Sequence, residues 1–158
     1  MQNLHTYLND HKGASAGALE LMESLVEQTS DEEVRDCVCR IHTQVAEEAS
    51  ILEGIIELLD AGKPLTKQAA GWVSGVASQL KLGPGVRGKF GEFQAVESLS
   101  LAVLGKRALW VLRDKLQPGD LTPPVAYAKL AEASAEQHRQ LEALRQRLGE
   151  ESLRGDRG

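Results

Sequence analysis

Four histidines, His5, His11, His42 and His138, are the side chains best suited to metal or proton chemistry in this chain, and their neighbours limit what they can do. A helical bundle holding two metal ions takes a Glu from each of two helices and a Glu-x-x-His from each of the other two. The spacing matters because residues three apart share a helix face and converge on one ion. The residues three before the histidines are Gln2, Leu8, Cys39 and Ala135. None is a glutamate, so that motif is absent. The segment GPGVRGKFG (83–91) has glycines and two cations but follows no strand, so it is not a phosphate loop. It reads as part of a crossover. No Ser-His-Asp order or nucleophile elbow occurs. Cys37 and Cys39 would lie roughly 200° apart on a helix, which rules out a shared metal or an easy mutual disulfide. They read as reduced thiols. No residue is assigned a catalytic role, and the chain leans away from being an enzyme.

The elements that would position these side chains are helices. Hydrophobic residues make up 42% of the 158 residues but aromatics only 4%, so the core must be aliphatic. That favours packed helices over a sheet, where aromatic and β-branched residues concentrate. Leu4, Leu8, Ala18, Met22, Leu25 and Val26 recur at three- and four-residue steps, predicting a first helix that ends near Thr29. Ser30 reads as the cap of a second helix with an acidic first turn, its stripe Val34, Ile41, Val45, Leu52, Ile55 and Leu59, stopped by Gly62 and Pro64. A shorter helix is expected from Leu65 to Leu82. A third long helix spans about Phe90 to Leu116, QPGDLTPP turns the chain, and a fourth long helix covers about Val125 to Leu148. Two antiparallel hairpins joined by one long crossover are the ferritin-like arrangement of a four-helix bundle. The expected fold is therefore all-α: one bundle domain over residues 1–149, with a short extra helix in the crossover and a polar tail at 150–158.

The net charge of −5 argues against nucleic acid, which needs a basic face. No 18-residue apolar run is present, and MQNLHTYLNDHKG lacks the basic-then-apolar order of a leader, so no membrane partner is expected and the location is read as cytoplasmic.

Placing each helix on a wheel picks out polar residues among apolar ones. His11 falls at the centre of the first stripe, near Tyr7, Leu4, Ala18 and Met22, and Glu48 at the centre of the second. A hairpin turning at residues 30–31 sets residue 11 level with about residue 50, so a buried His11–Glu48 pair is expected, with the Tyr7 hydroxyl as a further member. On the third helix Glu97 is read as inward with Phe93, Leu101, Leu104 and Ala108, close to Arg145 on the fourth. His138 borders the fourth stripe, with Glu142 as its expected partner. Gly13 and Gly17, with Ala14 and Ala18, are read as a smooth ridge for close helix contact. The third helix also carries Leu99, Val103 and Trp110 on nearly the opposite side. A helix apolar on two faces is central or covered. This surplus, with the crossover helix and its Trp72, suggests a homodimer.

Several short motifs resemble a poorly characterised group of bacterial ferritin-like proteins. They are Tyr7-Leu8-Asn9-Asp10-His11 with its small-residue run, Gly71-Trp72, Leu80-Lys81-Leu82, and Gly105-Lys106-Arg107-Ala108-Leu109-Trp110. The resemblance implies the ferritin-like fold and no activity. The leading expectation is a noncatalytic interaction or small-ligand-binding module without a cofactor. The alternative is a divergent metal-binding or oxidoreductase protein that holds Fe, Mn or Zn at a nonstandard site around His11, Glu48 and Tyr7.

Overall fold

The computed structural model describes residues 2–61, 88–116 and 125–154, which form four long helices and no strand. They are α1 (Gln2–Gln28), α2 (Glu32–Asp60), α3 (Gly88–Leu116) and α4 (Tyr127–Arg154). The expected short helix at 65–82, Trp72 and the QPGDLTPP turn lie outside the described residues. The cap of α2 is Asp31, one residue later than expected: its carboxylate accepts the Val34 N–H at 3.0 Å. Arg147 of α4 clasps the same carboxylate at 2.9 Å and Glu33 at 3.0 Å, which favours Asp31 over Ser30. α3 opens on Gly88 with φ 72°, in the left-handed region that glycine enters without strain. α4 runs past the expected boundary at residue 149 to Arg154. Leu148 and Gly149 are buried, and Glu151 is held by Lys89 and Arg147, so the first residues of the supposed tail are helix.

Side-chain pairs give the directions. Between α1 and α2, His5 meets Asp60, Lys12 meets Glu53 and Glu23 meets His42, pairs whose residue numbers all add to 65. The first hairpin is thus antiparallel. Lys89 with Glu151, and Arg113 with Tyr127, make α3 and α4 antiparallel as well. Asp31 with Arg147 and Glu48 with Gln137 set α2 antiparallel to α4. It follows that α2 and α3 run the same way, so α2 ends at the opposite end of the bundle from where α3 begins. α1 packs on α3, and α2 on α4.

The core has two apolar parts. One, at the α1–α2 turn, is built on Met22, Leu25, Val34, Ile41, Val96, Leu99 and Leu141. The other, at the far end, gathers Leu8, Leu52, Ile55, Leu109, Trp110 and Tyr127. The expected stripes of α1 and α2 are the buried ones. The expected inward face of α3 is not. Ala95, Val96, Leu99, Val103, Leu109 and Trp110 are buried, while Leu101 is 64% exposed and Leu104 40%. Both faces of α3 carry aliphatic residues at helical spacing, so periodicity alone could not choose between them. Glu97 stands half-buried at the rim, 3.7 Å from Arg145, rather than inside.

Gly13 also differs from expectation. Among the described residues, a Cβ built on it would meet nothing within 4 Å, so it is no point of close contact. Gly17 is buried.

Candidate functional site: a buried charged layer

Between the two apolar clusters lies a polar layer drawn from three helices. Glu48 of α2 is 5% exposed and Lys106 of α3 is 8% exposed, with the ammonium 2.6 Å from Glu48 Oε2. Gln137 of α4 bridges them. Its Oε1 accepts from Lys106 Nζ at 2.5 Å, while its Nε2 donates to Glu48 Oε1 at 2.8 Å and to Gln44 Oε1 at 3.0 Å. Trp110 completes the layer, donating its indole N–H to Glu48 Oε2 at 3.2 Å. Glu48 therefore receives three donors across its two oxygens. Burial pulls the Lys106 ammonium below its ordinary pKa, and the Glu48 carboxylate opposes that pull. The layer pairs opposite charges and leaves none of its buried side-chain nitrogens or oxygens without a partner, the condition under which buried charge is tolerated.

Sequence reading placed Glu48 correctly and its partner wrongly. His11 forms no hydrogen bond or ion pair with Glu48 among the described residues, and the Tyr7 hydroxyl is not in the layer. The cause is the lean of helical side chains toward their own N-termini, which shifts antiparallel pairing away from the midpoint of the turn. With pair numbers adding to 65, residue 11 pairs in register with residue 54, and residue 48 with Gly17. Six residues separate 48 from 54, about 9 Å along the axis.

His11 packs instead against Tyr7, ring centroids 4.7 Å apart and edge to face. Burial holds its imidazole below the ordinary 6.5, against a smaller opposing pull from Asp10. The sign of the consequence follows. Below pH 6.5 the unfolded chain takes up a proton that the folded chain does not, so the stability His11 contributes falls as pH drops toward its folded pKa. In denaturant titrations, His11→Phe should lose stability less steeply below pH 6.5 than the wild type does. Equal slopes would refute this.

The nonstandard metal set does not fit the geometry. Tyr7 packs on His11, neither bonds to Glu48 among the described residues, and the Lys106 ammonium holds the position beside Glu48 that a cation would need. Among the described residues no three His, Cys, Asp or Glu side chains come together as a metal site. His138 does not hold Glu142 either: Arg145 bonds both oxygens of that carboxylate and pulls it down to about 2. His42 pairs with Glu23 at the surface, Cys39 is exposed and Cys37 is buried. No described helix is long and apolar enough to cross a membrane.

The buried polar groups that the sequence reading missed are Lys106, Gln137, the Trp110 N–H and Arg113. Gln137 was legible, since it stands four before Leu141 and seven before Leu144 on the buried stripe of α4. Lys106 and Arg113 depended on choosing the correct face of α3. No family model matches this chain, and no curated protein or solved structure matches it either.

Proposed function

We propose that this chain is a noncatalytic helical-bundle module that acts by association, and that its first partner is a second copy of itself bound along the outer face of α3. The observation that carries this reading is that face: Phe90, Leu101, Leu104, Leu112 and Leu116 are all exposed and share one stripe, opposite the buried side. Scattered exposed leucines need no explanation, whereas an aligned row of them marks an interaction surface. The spacing favours a second copy. Phe93, Glu97, Leu101, Leu104, Ala108 and Leu112 follow steps of four, four, three, four and four, a pattern that reads the same in both directions. An antiparallel copy on a two-fold axis between Leu101 and Leu104 therefore sees the same stripe it presents, as an isologous contact requires. Glu97 lies within the stripe and Arg107 beside it, and the same axis brings Glu97 of one copy within one residue of level with Arg107 of the other. The ferritin-like assignment belongs to this proposal too. It is supported by the parallel run of α2 and α3, which calls for a connection along the bundle. The free thiols support a reducing compartment.

Light scattering on the eluting protein should give twice the 17.1 kDa chain mass, and Leu101→Glu with Leu104→Glu should return it to a monomer with helical content unchanged. A wild type that stays monomeric at about 100 μM, well above the Kd of a specific dimer, removes the self-association reading.

A further inference from the structure

We infer that Arg113 holds a small monovalent anion, between chloride and acetate in size, inside the bundle end formed by α3 and α4. Arg113 is 1% exposed. Its Nη2 donates to the Tyr127 hydroxyl at 3.2 Å, and its central carbon lies 5.3 Å from the Tyr127 ring centroid. Among the described residues its Nε and Nη1 have no hydrogen-bond partner, which leaves three N–H groups unused. Tyr127 is stacked on Trp110, and both belong to the apolar cluster with Leu8, Ile55 and Ile56.

Among the described residues, no carboxylate pairs with this charge. The buried carboxylate of the polar layer, Glu48, is already shared among Lys106, Gln137 and Trp110. Arg113 sits in the last turn of α3, where the helix carbonyls favour a cation, and Tyr127 adds a ring face. Both are weak beside the desolvation of a guanidinium, which never sheds its proton. A buried guanidinium calls for an anion beside it. Depth and charge set its class. A site this closed excludes a macromolecule, and a single positive charge among aliphatic and aromatic walls suits a monoanion better than a phosphate dianion.

The test is thermal unfolding at constant ionic strength in sodium gluconate, sodium chloride and sodium acetate, with gluconate as the anion too large to enter. The wild type should melt about 3–6 °C higher in chloride or acetate than in gluconate, rising with the logarithm of concentration as a bound ligand requires. Arg113→Met should show no such gain, and the salt that works identifies the ion. Equal melting of the wild type in all three salts overturns the site, and so does an equal gain in the variant, which would be a general salt effect. If Arg113→Met does not fold, the wild-type titration decides alone: a logarithmic rise supports the site, and a flat or linear response overturns it.

Discussion

Lys106→Met should lower the unfolding free energy by about 3–5 kcal/mol, the cost of leaving a buried charge without its partner. For a chain of this size that is a drop on the order of 10 °C in melting temperature. Methionine fills much the same volume, so the loss is not a cavity effect. It falls on Glu48, whose Oε2 keeps only the Trp110 indole, and on Gln137, whose Oε1 loses its donor. The same logic predicts repair. Glu48→Gln combined with Lys106→Met leaves no buried charge, and the amide can still accept from Trp110, so the double variant should be more stable than Lys106→Met alone. A double-mutant cycle in urea measures this directly, with a coupling of at least 1 kcal/mol expected for groups in one network. Strict additivity would mean that the two charges do not depend on each other, and the layer would then have no role as a unit. The repair also bears on why the layer is kept. A buried pair is weak grounds for stability, since apolar residues of equal volume often do as well. Its contribution is to register: only one alignment of α2, α3 and α4 brings Glu48, Lys106 and Gln137 together.

The helices were legible because their signals are local. Gly62 and Pro64 end one pattern, the aliphatic stripes of α1 and α2 have a single apolar side, and both helices occupy nearly the spans their periodicity predicts. What failed was relational. α3 carries two apolar faces, and the stripe with more large leucines, Leu101, Leu104 and Leu112, is the one left in solvent. The decisive clue was polar and ran the other way. Burying the face of Leu99, Val103 and Trp110 also buries Lys106 and Arg113, which a hydrophobicity reading counts against it. Lys106 becomes acceptable only once Glu48 and Gln137 are known to face it, and those partners lie on other helices.

The register error has the same origin. Counting outward from the middle of the α1–α2 turn places backbones level, whereas side chains on antiparallel helices meet several residues further on. That difference separates a His11–Glu48 pair from the observed arrangement, with His11 against Tyr7 and Glu48 against Lys106. His11 was rightly placed on the inner side of α1, and Glu48 was rightly judged unable to stand alone. The partner was missed because lysine is the residue least expected in a core.

Trp110 is where the layer joins the apolar end of the bundle, and replacing it should be as damaging as breaking the ion pair. The indole is 1% exposed, donates to Glu48 and stacks on Tyr127 with ring centroids 6.2 Å apart and planes 25° apart. Trp110→Ala removes all three contributions and should cost about 3–5 kcal/mol, the range for a buried large aromatic truncated to alanine. Trp110→Phe separates them. It keeps a ring to stack on Tyr127 and fills most of the volume, yet takes away the N–H, so a loss of about 1–3 kcal/mol isolates the bond to the carboxylate. Chemical denaturation of both variants supplies the numbers. The loss for Trp110→Phe should shrink in a Glu48→Gln background, because a neutral amide depends less on each donor than a carboxylate does. If Trp110→Phe proves as stable as the wild type, the indole packs beside the layer without supporting it, and the charge on Glu48 rests on Lys106 and Gln137 alone.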